Sequence, residues 1–424
     1  MPPSDSVIAT IAARYESHFR ERLRPIRKVG REAEFPVVWP DGRAGDVSLL
    51  WETLIAEGGF TPLYDDPATQ TLLVGVERAN IVYSVEVGRG TVELSIGPYD
   101  DLWELQIAFD KALARLKQAV ASRGMRLLGF GIQPRTRPSA ALMTPRRHYR
   151  ALYDAIGTPW LYLTTTASDQ FHVDICRVEL MDAINWMNLL SGPLIALCAN
   201  SSVYAGRRGR FVSGREGLLH TLGEHRYGMT PRYYSSLEEF IEYICRYDCY
   251  VLKDRDCYRR FNRPFTRYLS QHGADFSAYV WHEHYTWNSA RARIKNSTVE
   301  VRPACQQPPG ESLAAGALSV GLVESLPHVR EFVRVALGPD PWPAMLAYRR
   351  AAVQDGLAAR EPAPGFLADL VSIAEGGLKR RGRGEEKLLA PIWNRLDRQR
   401  APGQDAGDLL LRRGMAQFIE AVSF

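Results

Sequence analysis

Glu32 and Glu34 stand one residue apart in the stretch Val29-Gly30-Arg31-Glu32-Ala33-Glu34-Phe35-Pro36-Val37-Val38, which is apolar and β-branched at both ends. On a strand, residues i and i+2 project from the same face, so the two carboxylates share one face and Ala33 and Phe35 the other. Two like charges so close are costly unless a cation or a positive substrate sits between them. Taken alone, the pattern also fits an exposed strand carrying two solvated acids. Two further stretches repeat it. Ser84 to Ser95 reads as two strands around a glycine turn, bearing Glu86 and Glu93, and Ser297 to Pro303 carries Glu300. Three β-rich segments, each with an acid in an apolar setting, predict one sheet face that gathers carboxylates around hard metal ions. Mg²⁺ is the expected ion, since it prefers oxygen ligands and usually bridges to a phosphate.

Two other stretches carry polar groups in alternation. Thr164 to Asp174 puts Gln170, His172 and Asp174 on one strand face and Phe171 and Val173 on the other. That is the floor of a polar cavity or a solvated edge strand, with His172 a hydrogen-bonding partner rather than a ligand. Downstream, Trp281-His282-Glu283-His284 leads to Arg291, Arg293 and Lys295, which alternate onto one side, and then to Glu300 and Arg302. Cations interleaved with a carboxylate suit phosphoryl transfer, because the arginine fork donates to two phosphate oxygens at once while Glu300 holds the metal. A surface salt-bridge ladder is the alternative reading.

The elements that must position these groups follow from periodicity. Helices are predicted at 4–23, 47–57, 103–123 and 179–199, the last interrupted near Gly192-Pro193, and at 237–245. Strands are predicted at 72–76, 81–87, 125–133, 161–166 and 170–175. Gly206 to Tyr234 is rich in Arg, Gly and Tyr without periodicity, which predicts a substrate-facing surface. From Ser312 onward the pattern is helical, at 312–337, 342–358, 365–376, 385–399 and 407–422, with Arg380 to Arg383 expected as a solvated loop. The fold class is therefore α+β: a curved, mainly antiparallel sheet forming an active-site funnel, flanked by helices, with a helical C-terminal third. Residues 1–310 are expected as the catalytic unit and 311–424 as a helical region packed on it, in one integrated domain.

The chain of 424 residues is 46% hydrophobic and 24% charged, which is ordinary for a soluble globular protein. Lys and Arg number 53 against 48 Asp and Glu, an excess too small to argue for nucleic acid. Six cysteines in such a length are no disulfide framework, and the spacing of Cys245, Cys249 and Cys257 fits no common zinc motif. No signal peptide or membrane span is legible, so a cytoplasmic protein without a membrane or nucleic-acid partner, monomer or homodimer, is expected. Neither a P-loop nor a dinucleotide-binding glycine motif occurs; bound ATP would be held another way.

The order of motifs resembles the plant-type glutamate–cysteine ligase family, which includes actinobacterial enzymes. The family's Gly-x-Glu-x-Glu strand matches Gly30 to Glu34, and its Glu-Pro-Gly-Gly-x-x-Glu-Leu-Ser-Gly segment matches Glu86 to Gly97. Its Gly-x-x-Pro loop and Pro-x-x-Arg-Tyr-like motif match Gly131 to Pro134 and Pro145 to Tyr149. The Thr-x-Thr-x-Gln-Val-Asn-Leu-Asp strand matches Thr166 to Asp174, the Ala-Asn-Ser-Pro helix end Ala199 to Ser202, and the His…Arg…Glu-x-Arg segment His284 to Arg302.

The resemblance implies a glutamine-synthetase-like fold with ATP and two or three Mg²⁺ ions at the base of the funnel. It also implies a reaction in which ATP phosphorylates a carboxylate and an amine displaces the phosphate from the acyl phosphate. On that basis Glu32, Glu34, Glu86, Glu93 and Glu300 are metal ligands, Glu86 the least secure, with Gln170 beside them. Arg293, Arg302 and alternatively Arg291 bear on the phosphates, with Lys295 and Gln170 also at the nucleotide. Arg147, Tyr149, Thr166, His172, Asn200 and Arg215 are substrate residues, Arg147 and Arg215 holding carboxylates. Glutamate and cysteine are the default substrates. A relative using another acid or amine is the first alternative, and a non-catalytic nucleotide- or partner-binding relative the second.

The sequence departs from the family at the Glu86 turn, which is one residue longer and lacks its proline. It departs again at His172 for Asn, Ser202 for Pro, and Pro303 to Pro308 for a segment containing an Asp. The resemblance puts these on the substrate wall, which predicts weak acceptance of glutamate or a competing second acid.

Overall fold

A computed structural model describes residues 5–223, 226–255 and 257–424. Its frame is a nine-stranded sheet among the described residues. The strands are β1 (Val29–Val38), β2 (Thr61–Tyr64), β3 (Leu73–Arg78), β4 (Ile81–Val85), β5 (Thr91–Tyr99), β6 (Arg126–Leu127), β7 (Asp169–Asp174), β8 (Ala290–Arg293) and β9 (Thr298–Val301). The order is β8-β9-β7-β1-β5-β4-β3-β2, with β6 also on β1. Every pairing is antiparallel. The fold class is the α+β arrangement expected from the sequence, with helices from residue 314 onward.

One face of the sheet is dry. Ala33 and Phe35 of β1 and Phe171 and Val173 of β7 are fully buried. Against them lies helix Leu102–Ser122, capped by Asp101, whose carboxylate accepts the Glu104 amide at 2.8 Å. Its Leu105, Phe109, Leu113 and Leu116 recur at helical spacing and are buried. Helix Ala314–Glu324 covers β7, and only a glycine fits at 316, where a Cβ would lie 2.3 Å from the Phe171 ring. A charged pair sits inside this apolar layer. Arg31 donates to both Asp169 oxygens at 2.7 and 3.0 Å, with its guanidinium 4.0 Å from the Phe109 centroid. Packing thus fixes the orientation of β1 and β7, and Glu32, Glu34, Gln170 and His172 must emerge on the other face.

Several elements differ from expectation. Residues 161–164 are helical turns, not a strand, and of the expected strand only Thr166 makes a β-bridge, to Ile132. Gly157 at positive φ and Pro159 start a helix, and the hydroxyls of Thr164, Thr165 and Thr166 each donate to a carbonyl three residues back. This local bonding overrides the β preference of a threonine run. Between 125 and 133 only β6 is regular strand. The helix expected over 312–337 breaks at Ser325, where Pro327 begins a new one, Leu326–Leu337. Arg380 and Arg381 end helix Phe366–Arg381 instead of forming a loop. The Arg381 side chain is buried, pairing with Glu324 at 2.7 Å and Glu385 at 2.6 Å. The final helix begins earlier, at Pro402, and kinks at Gly414. Ser4, the expected first residue of the N-terminal helix, lies outside the described residues. No helix among them is long and apolar enough to cross a membrane.

Candidate active site

Sheet register assembles the site. Glu34 of β1 is the cross-strand partner of Glu93 on β5. Glu32 pairs in register with Ser95 on one side and Gln170 of β7 on the other. His172 of β7 faces Glu300 of β9, which faces Arg291 of β8. A row of acids, interrupted by one amide and one imidazole, therefore crosses four strands on the wet face and ends at Arg291 on a fifth. Two groups in it bring three ligand atoms within 4.8 Å of one another: Glu34, Glu86 and Glu93, and Glu32, His172 and Glu300. The first is an all-oxygen set suited to a hard divalent cation. The second mixes two carboxylates with an imidazole.

The electrostatics of the two groups differ. In the first, burial and the neighbouring Glu86 push the Glu34 carboxyl up to about 7. Burial, then Glu32, Glu86 and Glu34, push Glu93 well above the carboxylate range. Neutral donors alone are bonded to this pair: Ser168 N–H at 2.7 Å and the Gln170 amide at 2.9 Å on Glu34, and the Ser95 hydroxyl at 2.6 Å on Glu93. In the second group burial also opposes charge, yet basic neighbours outweigh it. Glu32 is held below the ordinary range by His172, whose Nε2 lies 3.0 Å away. Glu300 is held well below it by Arg291, Arg302 and Arg293. Arg291 approaches at 3.2 Å and Arg293 at 3.1 Å, and Arg302 donates to both Glu300 and Gln170. Among the described residues Glu34, Glu86 and Glu93 form no ion pair, Arg215 acting on Glu34 only at longer range, whereas Glu300 is paired with three arginines.

Two cavities flank the row and meet at Glu32. The larger, about 510 Å³, has a basic rim of Arg20, Arg24, Lys28 and Lys295 and reaches His172 and Ser95. The smaller, about 250 Å³, is floored by Glu34, Glu86, Glu93 and Gln170; Arg146, Arg215 and Arg302 face it, with Tyr149, Trp160 and Trp287 among its aromatic walls.

The structure thus brings together Glu32, Glu34, Glu86, Glu93, Glu300, Gln170, Arg291, Arg293 and Arg302. Thr166, Tyr149 and Arg215 line the smaller cavity, and Lys295 the larger. Three expected substrate residues are elsewhere. Arg147 points outward, its side chain 53% exposed and 3.7 Å from Asp66, and Arg146 lines the cavity instead. Helix Arg147–Ile156 starts here, so Arg146 and Tyr149, three apart, share a side that Arg147 does not. Asn200 is buried, its amide donating to the carbonyls of Gly129 and Gln306 at 2.9 Å each. His172 lies on the larger cavity with Glu32 and Glu300, not on the wall of the smaller. The Ser202 hydroxyl bonds the Gly403 carbonyl, and Gln306 and Gln307 are fully buried. These departures from the family pattern therefore do not form a substrate wall. The sequence reading missed Arg146, Trp160, Tyr227 and Trp287. Only Arg146 had a signal, its three-residue spacing from Tyr149.

Comparison with known proteins gives this arrangement its context. Glutamate–cysteine ligase A, chloroplastic, of Oryza sativa subsp. indica is 24% identical over 353 residues, spanning 78% of this chain and 70% of that protein. Glutamate–cysteine ligase B, chloroplastic, of Oryza sativa subsp. japonica is 24% identical over 353 residues, 78% of this chain and 69% of its own. The crystal structure of a glutamate–cysteine ligase from Francisella tularensis in complex with AMP superposes with a TM-score of 0.55 at 11% identity, covering 96% of this chain and 88% of that one, which speaks for the fold. The family model described as glutamate–cysteine ligase family 2 matches residues 28–421. The chain belongs to that family, and with it to the ATP-dependent ligases that form carbon–nitrogen bonds.

Proposed function

We propose that the protein joins the carboxylate of an amino acid to an amine at the expense of ATP, through an acyl phosphate, with glutamate and cysteine as the default pair. The observation that carries this reading is the row of acids between two cavities of different chemistry. The basic larger cavity suits a polyphosphate. The smaller, bounded by Arg146 and Arg215, suits an anionic amino acid. A carboxylate oxygen entering from one side and a terminal phosphate from the other meet over Glu32 and Glu34. The residues fit divalent cations, since Glu34, Glu86 and Glu93 converge and form no ion pair among the described residues. Mg²⁺, when bound, would supply positive charge to the phosphate oxygens. Arg291, Arg293 and Arg302, gathered on Glu300, are held where charge spreads over the transferred phosphoryl group, and a rigid fork needs no reorganisation there. The amine then attacks the acyl carbon, forming the amide as phosphate leaves. A cytoplasmic location and a monomeric or dimeric state, with 311–424 integrated into the catalytic unit, complete the reading.

A second reading, another acid or amine, is favoured by the aromatic walls of the smaller cavity, which can pack against an apolar or aromatic substrate portion. The test is release of ADP from ATP and Mg²⁺ with each proteinogenic amino acid as the acid and cysteine or another amine as acceptor. Turnover that needs both partners supports a ligase, and the best pair decides between the readings. Nucleotide binding without turnover of any pair contradicts both.

A further inference from the structure

Arg215 reaches the smaller cavity from a buried network that extends into the C-terminal helices. It lies in the first turn of helix Gly214–Leu219 and is 3% exposed. Its Nη1 donates to Oε1 of Glu216 at 2.5 Å, and the Tyr227 hydroxyl donates to the same oxygen at 2.6 Å. The other oxygen, Oε2, accepts from Nη2 of Arg349 at 2.7 Å. Arg349 belongs to helix Trp342–Asp355, and its Nε donates to the Ser191 hydroxyl at 3.1 Å. The Arg215 backbone is tied as well, its N–H donating to Ser201 Oγ at 3.0 Å.

The fold makes room for this arrangement at two glycines. Gly228 has φ +88°, and a Cβ there would lie 2.4 Å from Arg349 Nη2. A Cβ at Gly192 would lie 3.1 Å from the Arg349 backbone. Glycine at these two positions lets the Arg349 side chain and its helix Trp342–Asp355 pack closely.

The network does not close on itself. Two guanidiniums share one carboxylate, so the cluster carries one positive charge in excess while Arg215, Glu216 and Arg349 are all at least 94% shielded at the side chain. Nε of Arg215 is buried and has no hydrogen-bond partner. A purely structural ion pair would match its charges, because a buried unpaired cation is costly. The Glu34 carboxylate of the same cavity acts on Arg215 without forming an ion pair with it, and an anion entering the cavity would supply the acceptor that Nε lacks.

We propose that Glu216, Arg349 and Tyr227 are positioning residues that hold the Arg215 guanidinium to receive the second, unreacting carboxylate of a dicarboxylic amino acid. The inference rests on the ligase reading above, which supplies the acid and its place at Arg215; what it adds is the support of that guanidinium by Glu216, Arg349 and Tyr227. It also gives the C-terminal region a part in substrate binding, since Arg349 acts on the pocket through Glu216.

The experiment varies L-glutamate at saturating ATP and L-cysteine in the ADP-release assay, for the wild type and for Arg215→Met, Arg349→Met and Tyr227→Phe. ADP binding is measured by calorimetry and folding by thermal melting. The expected result is a KM for L-glutamate raised roughly tenfold or more in Arg349→Met and several-fold in Tyr227→Phe, with kcat changed far less and ADP affinity retained. Loss of a structural support alone would lower active enzyme and leave KM unmoved. If Arg349→Met fails to fold, Tyr227→Phe decides, since it removes one hydroxyl. Unchanged KM in the folded variants, beside a raised KM in Arg215→Met, overturns the positioning roles and leaves the acid site standing. An unchanged KM in Arg215→Met overturns the acid site itself.

Discussion

Glu34 and Glu93 are cross-strand partners at the centre of the sheet, and among the described residues neither is ion-paired. Like charges placed directly opposite destabilise a sheet, and both carboxyls are pushed upward by burial and by neighbouring acids. The fold holds a repulsive pair in place through the dry packing on the reverse side, where Ala33 and Leu94 face each other in register. A site built this way gains stability when a cation arrives.

Replacing Glu93 with Gln separates the two consequences. The variant keeps the Ser95 contact and removes one like charge, so metal-free stability holds or rises by up to about 1 kcal/mol. ADP release falls roughly 100-fold or more, because the all-oxygen ligand set is broken. Thermal melting in chelator and the ADP assay report the two effects, and near-normal turnover at limiting Mg²⁺ would remove the metal role.

Stability should depend on pH in a direction set by Glu34. Its carboxyl lies near 7 when folded, above the ordinary value of 4.5. A raised value means that this contribution is complete below about pH 4.5 and is lost as pH rises through about 7. Glu93 shifts in the same direction. Glu32 and Glu300 shift downward, and their contribution is lost only in more acidic solution. The melting temperature in chelator therefore falls between about pH 5.5 and 8, and added Mg²⁺ raises it more at the higher pH. A Mg²⁺ effect equal at both would contradict the assignment.

Arg146 and Arg147 make a paired comparison. Arg146 lines the smaller cavity, with its guanidinium 5.5 Å from the Tyr149 centroid, whereas Arg147 is half exposed. Arg146→Met should raise KM for the acid about tenfold, and Arg147→Met should leave it within about twofold. The reverse ranking would restore Arg147 to the site.

The same pair shows what was legible in the sequence. Period-two alternation around Glu32, Glu34, Gln170 and His172 identified the wet face correctly, because a strand with one buried face admits one register. Which side of a helix start faces a cavity is a finer matter, and a motif alone does not separate Arg146 from its neighbour. Residues 161–164 are helical rather than β because hydroxyl-to-carbonyl bonding outweighs β propensity. Arg349 and Arg381 were illegible for another reason. Arg349 pairs with Glu216 and Arg381 with Glu324, partners far away in the chain that no local pattern announces; only the Arg381–Glu385 pair is local.

His172 is a case in which the structure changes the expected effect of a substitution. As a wall residue of the acid pocket, His172→Asn would shift acid selectivity. With its Nε2 3.0 Å from Glu32 in a group with Glu300, it lies on the larger cavity, the side proposed for the nucleotide and metal. His172→Asn should raise the Mg²⁺ concentration for half-maximal rate several-fold and leave the ranking of acids unchanged. A changed ranking in the amino-acid panel would return His172 to the acid pocket.

In the proposed reaction a carboxylate oxygen attacks the terminal phosphate over the row of acids. The most direct measurement uses L-glutamate labelled with ¹⁸O in its side-chain carboxylate, with ATP, Mg²⁺ and L-cysteine, followed by mass analysis of the released phosphate and nucleotide. An acyl phosphate predicts phosphate carrying one ¹⁸O atom and unlabelled ADP. Unlabelled phosphate, or label appearing in AMP, would contradict it.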